Sequence, residues 1–254
     1  MVMDGLLVGK RAEGGTSVYI RGIFRKLLVP VLNWRKQENR EELKEMEEIR
    51  NIYCVGRNYR KHAEELGNQV PSEPLIFMKP THALHKAEGG LPLPFEQGAI
   101  HFEGELVVKM REDYHPDKPL DSMIGGMAFG IDFTARDVQS KLKEKGHPWT
   151  MAKGFPGSAV LSRFVPFPGE EAFRKVTFTL YKKEELVQKG QPERMIFPLR
   201  ELVDVIGSRL GLSRGDIIFT GTPEGVGPVG HGDVFTFEME SGGQSYSFGP
   251  LHIQ

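Results

Sequence analysis

Glycine and proline are the features of this chain that most limit what it can fold into. The 254 residues include 30 Gly and 17 Pro, spread along the whole length. Short apolar runs lie between them. A chain broken this often has room for short strands and turns but few long helices, so the pattern predicts a mixed, β-rich fold of packed sheets with a few short helices. The length exceeds one average domain, although barrel-like β folds of this size are often single. It is ample for a buried core.

The charge balance narrows the classes of function. Thirty-three basic residues face 34 acidic ones, giving a net charge of -1. That excludes the basic excess of a general nucleic-acid or membrane-surface binder. The one cysteine, Cys54, has no partner for an internal disulfide and sits inside the apolar run Ile52–Val55, which reads as burial rather than reactivity. No apolar stretch approaches the ~20 residues of a membrane span, and Met1–Gly5 does not begin a leader. The expectation is a soluble, cytoplasmic protein.

Two parts are expected: a small strand-rich segment with a helical linker over residues 1–50, and a larger domain over 51–254. Ser17–Ile20 and Leu27–Leu32 are candidate strands, and the Glu- and Lys-rich run Glu38–Arg50 reads as a helix. Beyond it, strands are expected at Ile52–Val55, Leu75–Met78, Ile100–Met110, Met127–Asp132, Ala159–Phe164, Lys175–Tyr181, Ile217–Thr220, Val234–Glu240 and Ser245–Phe248. Helices are expected at Asn58–Leu66 (stopped by Gly67), at Thr134–Lys145 (with Thr134 and Asp137 as a capping box and Gly146 as the stop) and at Leu199–Leu210.

The chemistry begins in Ile100–Met110, IHFEGELVVKM. Side chains alternate along a strand, so Glu103 and Glu105 share one face. An exposed strand edge is the ordinary explanation of such a pair. A buried pair needs a cation, or one carboxyl must take a proton. Gly104 between them marks a close backbone approach, and a third acid, Asp132, ends the apolar run GMAFGID. Three carboxylates suit a hard ion such as Mg²⁺, Mn²⁺ or Ca²⁺ rather than structural zinc. The site would be anionic by one and would need more positive groups to receive an acid. Candidates are Lys153, read between an apolar strand and a turn, and Arg136 with Gln139, three apart on a helix. His62 and Glu65 are also three apart, as a surface ion pair or as a base that activates water, with the polar GNQVPSEP beyond them as a flexible loop. Residues 217–227, IIFTGTPEGVG, lack a Walker A lysine and read as a turn whose N–H groups and Thr222 hydroxyl meet a carboxylate.

Taken together, YCVGRNYRKHAEEL, PLIFMKP, HFEGELVV, GGMAFGIDFTARDVQ, PWTMAKGF and GDIIFTGTPEGVGPV resemble, in order from Tyr53 to Val229, the fumarylacetoacetate hydrolase family. The resemblance implies a β-roll-like fold, dependence on Mg²⁺ or Mn²⁺, and a homodimer. It implies that Glu103, Glu105 and Asp132 are metal ligands, that His62, Glu65 and Lys153 are catalytic, with the His–Glu pair on a lid, and that Arg136, Gln139, Gly221 and Thr222 bind substrate. The leading expectation is hydrolysis of a C–C bond in an acylpyruvate through an enolate. The alternatives are an oxaloacetate decarboxylase or a 2-hydroxyhepta-2,4-dienedioate isomerase and, in a different class, a non-catalytic ligand-binding protein.

Overall fold

The structure is a computed structural model that describes residues 46–65, 67 and 69–254. The expected strands at 17–20 and 27–32, and most of the expected helix at 38–50, lie outside these residues. Every element below belongs to the compact unit Glu48–Gln254.

Sixteen short strands follow the Gly/Pro punctuation. The first eight are β1 (Ile52–Gly56), β2 (Leu75–Lys79), β3 (Leu84–Lys86), β4 (Gly89–Leu91), β5 (Ile100–Phe102), β6 (Gly104–Met110), β7 (Ile124–Asp132) and β8 (Thr134–Ala135). The second eight are β9 (Ala159–Leu161), β10 (Val165–Pro166), β11 (Thr177–Lys182), β12 (Glu185–Gly190), β13 (Ile217–Phe219), β14 (Gly227–Pro228), β15 (Val234–Ser241) and β16 (Gln244–Ile253). An eight-stranded sheet runs β2-β1-β13-β6-β7-β9-β3, with β10 on β7; a five-stranded sheet runs β12-β11-β15-β16-β4; a three-stranded one runs β14-β5-β8. The fold is the mixed, β-rich architecture expected.

Alternation along β6 and β7 decides which side chains meet. Leu106 and Val108 of β6, with Met127, Phe129 and Ile131 of β7, enter the main core beside Phe178 and Leu180 of β11 and Phe235, Phe237 and Met239 of β15. Phe129 packs at 5.6 Å from Phe178 and 5.0 Å from Phe237, ring centre to ring centre, which joins the two large sheets. The opposite face carries Val107 and Ala128 into a second cluster with Cys54, Ala159 and Phe219. Glu105 shares that second face with Val107. Cys54 is fully buried there, and burial pushes its thiol far up, as befits an apolar filler.

Four local expectations fail for identifiable reasons. The run Ile100–Met110 is two strands: the chain leaves the three-stranded sheet after Phe102 and joins the eight-stranded one at Gly104, with Glu103 in the gap. The helix expected from Thr134 starts at Arg136 (Arg136–Glu144), because Thr134 is taken into β8 opposite His101 and Asp137 accepts from the Ala99 N–H instead of capping. Lys153 ends a short helix, Thr150–Lys153, rather than following a strand. The helix at 60–65 begins two residues late, since Asn58 is buried and occupied elsewhere.

Candidate active site

Glu103, Glu105 and Asp132 converge. Their ligand oxygens all lie within 4.8 Å of one another and all three residues are buried. The backbone dictates this. Glu105 pairs with Gly130 across β6 and β7, two residues before Asp132, and the Asp132 N–H donates to the Glu103 carbonyl at 2.8 Å, closing the gap between β5 and β6. Gly130 has to be small: a Cβ there would meet Phe219 at 2.5 Å and Val107 at 2.8 Å.

Three cations surround the acids. Lys153 Nζ donates to Glu103 Oε2 at 2.8 Å and to Asp132 Oδ2 at 2.6 Å. Arg136 Nη2 donates to Glu103 Oε1 at 2.6 Å, while its Nη1 donates to Gln139 Oε1 at 2.7 Å. The third, Lys79, was not singled out from the sequence, although it lies in the quoted PLIFMKP. Its Nζ stands 2.7 Å from Asp132 Oδ1. Its hydrogen bonds, however, go to the carbonyls of Phe133 (3.4 Å), Ser158 (2.9 Å) and Lys153. The Lys79 ion pair is the one polar contact of the buried Asp132 Oδ1 among the described residues.

The electrostatics divide the acids. Burial pushes the Glu103 carboxyl up, but Lys153 and then Arg136 outweigh it and hold it well below the usual carboxylate range. Burial also pushes Glu105 up, here reinforced by Asp132 and Glu103, so its carboxyl rises well above that range. The Gly221 N–H, 2.7 Å from Glu105 Oε2, opposes this only in part. Burial pulls the Lys153 ammonium down, but Asp132 and Glu103 outweigh it and raise it.

These features fit a divalent cation. The donors are hard oxygens, and oxygens ~2.1–2.4 Å from one ion lie at most ~4–5 Å apart, matching the observed cluster. One buried acceptor, Asp132 Oδ1, has only the Lys79 ion pair, and no cationic side chain contacts Glu105 among the described residues. Glu103, Glu105 and Asp132 would hold the ion. The three surrounding cations balance the three acids by count, so a bound divalent ion leaves a positive site.

His62 is buried on the helix Arg60–Glu65. Its Nδ1 lies 3.5 Å from Glu65 Oε2. Burial pulls the imidazole below its ordinary value, outweighing the opposing charges of Glu103 and Glu65. Glu65 also accepts the Gly225 N–H at 3.1 and 3.2 Å, and Lys61 pairs with Glu224 at 3.4 Å, which ties this helix to the 221–227 turn.

The turn differs from expectation in its donors. The Thr222 hydroxyl donates to the Gly104 carbonyl at 2.9 Å and accepts from Gln188 Nε2 at 2.8 Å; the Gly221 N–H is used by Glu105. Neither donor is free for a ligand in this arrangement. Both instead brace Glu105 and Gly104. Gln188 completes the brace by accepting the Gly104 N–H at 2.8 Å. Gln188 sits at a buried position of β12, in the polar run EELVQKG, which the sequence reading passed over as a strand. Asn58 was likewise missed: its amide bonds Phe197 in both directions and the Thr220 carbonyl.

Fold and trio together define a buried cluster of three carboxylates on a curled β scaffold. Residues 51–251 match the family described as fumarylacetoacetate (FAA) hydrolase C-terminal, and the chain belongs to that family of enzymes. It is 40% identical over 189 residues to the "Oxaloacetate decarboxylase, mitochondrial" of Dictyostelium discoideum, covering 73% of this chain and 86% of the relative. It is 40% identical over 195 residues to the human "Oxaloacetate tautomerase FAHD1, mitochondrial", covering 76% and 86%. A fumarylpyruvate hydrolase from Pseudomonas aeruginosa, solved with Mn²⁺ and pyruvate, superposes with a TM-score of 0.72 at 32% identity, covering 81% of this chain and 91% of that one.

Proposed function

We propose that this enzyme carries out divalent-cation-dependent enolate chemistry on a small 2-oxo acid of the oxaloacetate type, decarboxylating or tautomerising it. The observation that carries the reading is the buried trio with its enclosing cations: a site that is positive once an ion is held, and enclosed enough for charge to matter. Kinship to the oxaloacetate decarboxylase and tautomerase supports this substrate over the acylpyruvate that led the sequence reading.

When bound, the ion supplies Lewis acidity, polarising the 2-oxo group so that negative charge can build on its oxygen. The remaining work belongs to the chain. Lys153 places a fixed ammonium between Glu103 and Asp132, adding positive charge where an enolate develops. Arg136, held by Gln139, offers a second cation for the substrate carboxylate. In decarboxylation the C3–C4 bond breaks, CO₂ leaves, and its electron pair becomes the enolate, which then takes a proton at C3 to give pyruvate. In tautomerisation a base removes the C3 proton and the 2-oxo oxygen gains one. His62, neutral at pH 7 through burial, is the base.

Hydrolysis of an acylpyruvate is the second reading, favoured by the fumarylpyruvate hydrolase. There His62 would take a proton from water attacking the distal carbonyl. A substrate panel separates the two. Purified chain with Mn²⁺ is expected to release pyruvate from oxaloacetate faster than the ion alone, and a chelator should abolish the difference. Acetylpyruvate cleavage with oxaloacetate untouched would establish the second reading. Turnover of neither would reject both and point to a binding protein. Decarboxylation needs no attacking water, so it should survive His62→Ala better than acetylpyruvate hydrolysis does.

A further inference from the structure

Tyr59 stands apart from everything assigned above. It is 2% exposed, and its hydroxyl oxygen is buried without a hydrogen-bond partner. Buried tyrosines ordinarily satisfy the hydroxyl, because an unpaired polar group in the interior costs stability.

The backbone around Tyr59 is held from several sides. Tyr59 bridges to Met195 in an antiparallel pair. Its carbonyl accepts the Ala63 N–H at 3.0 Å, in the first turn leading into the helix that carries His62. Tyr59 therefore stands at the entry to the helix that carries His62. The preceding residue, Asn58, locks to Phe197 and to the Thr220 carbonyl, and a Cβ on Gly221 would strike its side chain at 2.7 Å. Gly221 is the residue whose N–H braces Glu105. Tyr59 is thus fixed between the His62 helix and the turn behind Glu105. Burial, then the charges of Glu105 and Glu224, push its pKa far up, with Arg194 opposing only weakly. The hydroxyl stays protonated and so keeps a proton to donate. Glu105 Oε2 is already engaged by Gly221.

We propose that the Tyr59 hydroxyl donates a hydrogen bond to an oxygen of the 2-oxo acid held at the Glu103–Glu105–Asp132 centre, making Tyr59 a further substrate-contacting residue. This inference rests on the functional reading above. The donor is preorganised and buried, so its bond strengthens as charge builds on that oxygen. The same arrangement explains why a fold would keep an unpaired hydroxyl: a ligand completes it.

The test is Tyr59→Phe, measured in three ways. The melting temperature of the metal-free protein should be unchanged or raised, since an unsatisfied group has been removed. The Kd for Mn²⁺ should stay within about threefold of wild type. Oxalate, which mimics a pyruvate enolate, should bind the Mn²⁺-loaded variant about tenfold more weakly, and kcat on oxaloacetate should fall ~100-fold. Equal oxalate affinity in the two proteins would overturn the contact. A melting temperature lowered by several degrees, with Mn²⁺ affinity falling in parallel, would overturn it in favour of a structural role. If wild type turned over no 2-oxo acid yet the oxalate contrast held, the functional reading would fall and the contact would stand. Normal turnover without the contrast would remove the contact alone.

Discussion

Lys79 and Lys153 touch the same aspartate but do different work, and single substitutions should separate them. Lys79 has a fully buried side chain and joins three carbonyls from separate segments beside Asp132. Lys79→Met leaves those carbonyls without their donor and strips the buried Asp132 of one of its two ammonium partners. We expect a loss of about 3–5 kcal/mol, read as a lowered urea midpoint. Lys153 bonds two carboxylates through its ammonium, so Lys153→Met should cost activity more than it costs folding. His62 sets the pH dependence. Its folded value lies below 6.5, and a nearby cation would lower it further, so it remains a base into mildly acid solution. The acid limb of kcat/KM for enolisation should have its midpoint below 6.5 and be lost in His62→Ala. A midpoint above 6.5 would contradict a buried, neutral imidazole. Asp233 provides a stability counterpart. Burial pushes its carboxyl up, but Lys183 at 2.8 Å, the Gly230 N–H and Lys182 outweigh it, leaving the value below the usual 3.8. A depressed carboxylate stabilises the fold above its unfolded value and loses that contribution as pH falls through the folded value. Asp233→Asn should therefore lower the melting temperature at pH 7, with the difference shrinking as pH falls below 3.8 toward the depressed folded value. The acids of the centre were legible because i,i+2 spacing survives any strand register and Gly104 flagged the close approach. Lys79, Asn58, Gln188 and Tyr59 were not, because each is one polar residue in a short run whose partners lie far away in sequence.

At the level of elements, sequence patterns succeeded where packing agreed with local preference. The alternation in β15, read at 234–240, appears as a strict buried–exposed pattern through Met239. The helix at 199–209 buries Leu199, Leu202, Val203 and Ile206, the 3.6-residue stripe. The capping box at Thr134 failed because a tertiary strand pairing, β8 on β5, claimed the residue first. The single strand read at 100–110 failed because alternation cannot show a change of sheet. That change is functional geometry: it turns Glu103 out of the ladder while Glu105 stays in it. The spacing of β6 and β7 at Gly130 is the element-level control on the site. Gly130→Ala would press a methyl group against Phe219, Val107 and the Val160 carbonyl. A cost of about 1–3 kcal/mol follows from overpacking, together with weaker Mn²⁺ binding as Asp132 is displaced from Glu105. Full Mn²⁺ affinity in a folded Gly130→Ala protein would show that the site tolerates a wider strand spacing.

For the whole molecule, the fold class followed from the frequency of breaks, whereas the arrangement of sheets followed only from the ordered set of motifs between Tyr53 and Val229. Strand order such as β1 beside β13, which pairs Ile52 with Ile217, has no local signal. The centre is assembled from segments near residues 62, 79, 103–105, 132–136, 153 and 221, so only the complete fold creates it. The central claim is that this assembly holds a divalent ion and uses it on a 2-oxo acid. The most direct measurement is pyruvate release from oxaloacetate by wild type and by Glu103→Ala, each with Mn²⁺ and with chelator, with folding checked by circular dichroism. The account predicts chelator-sensitive release by wild type, and a folded Glu103→Ala protein no faster than Mn²⁺ alone. A folded Glu103→Ala protein that matches wild type would contradict it.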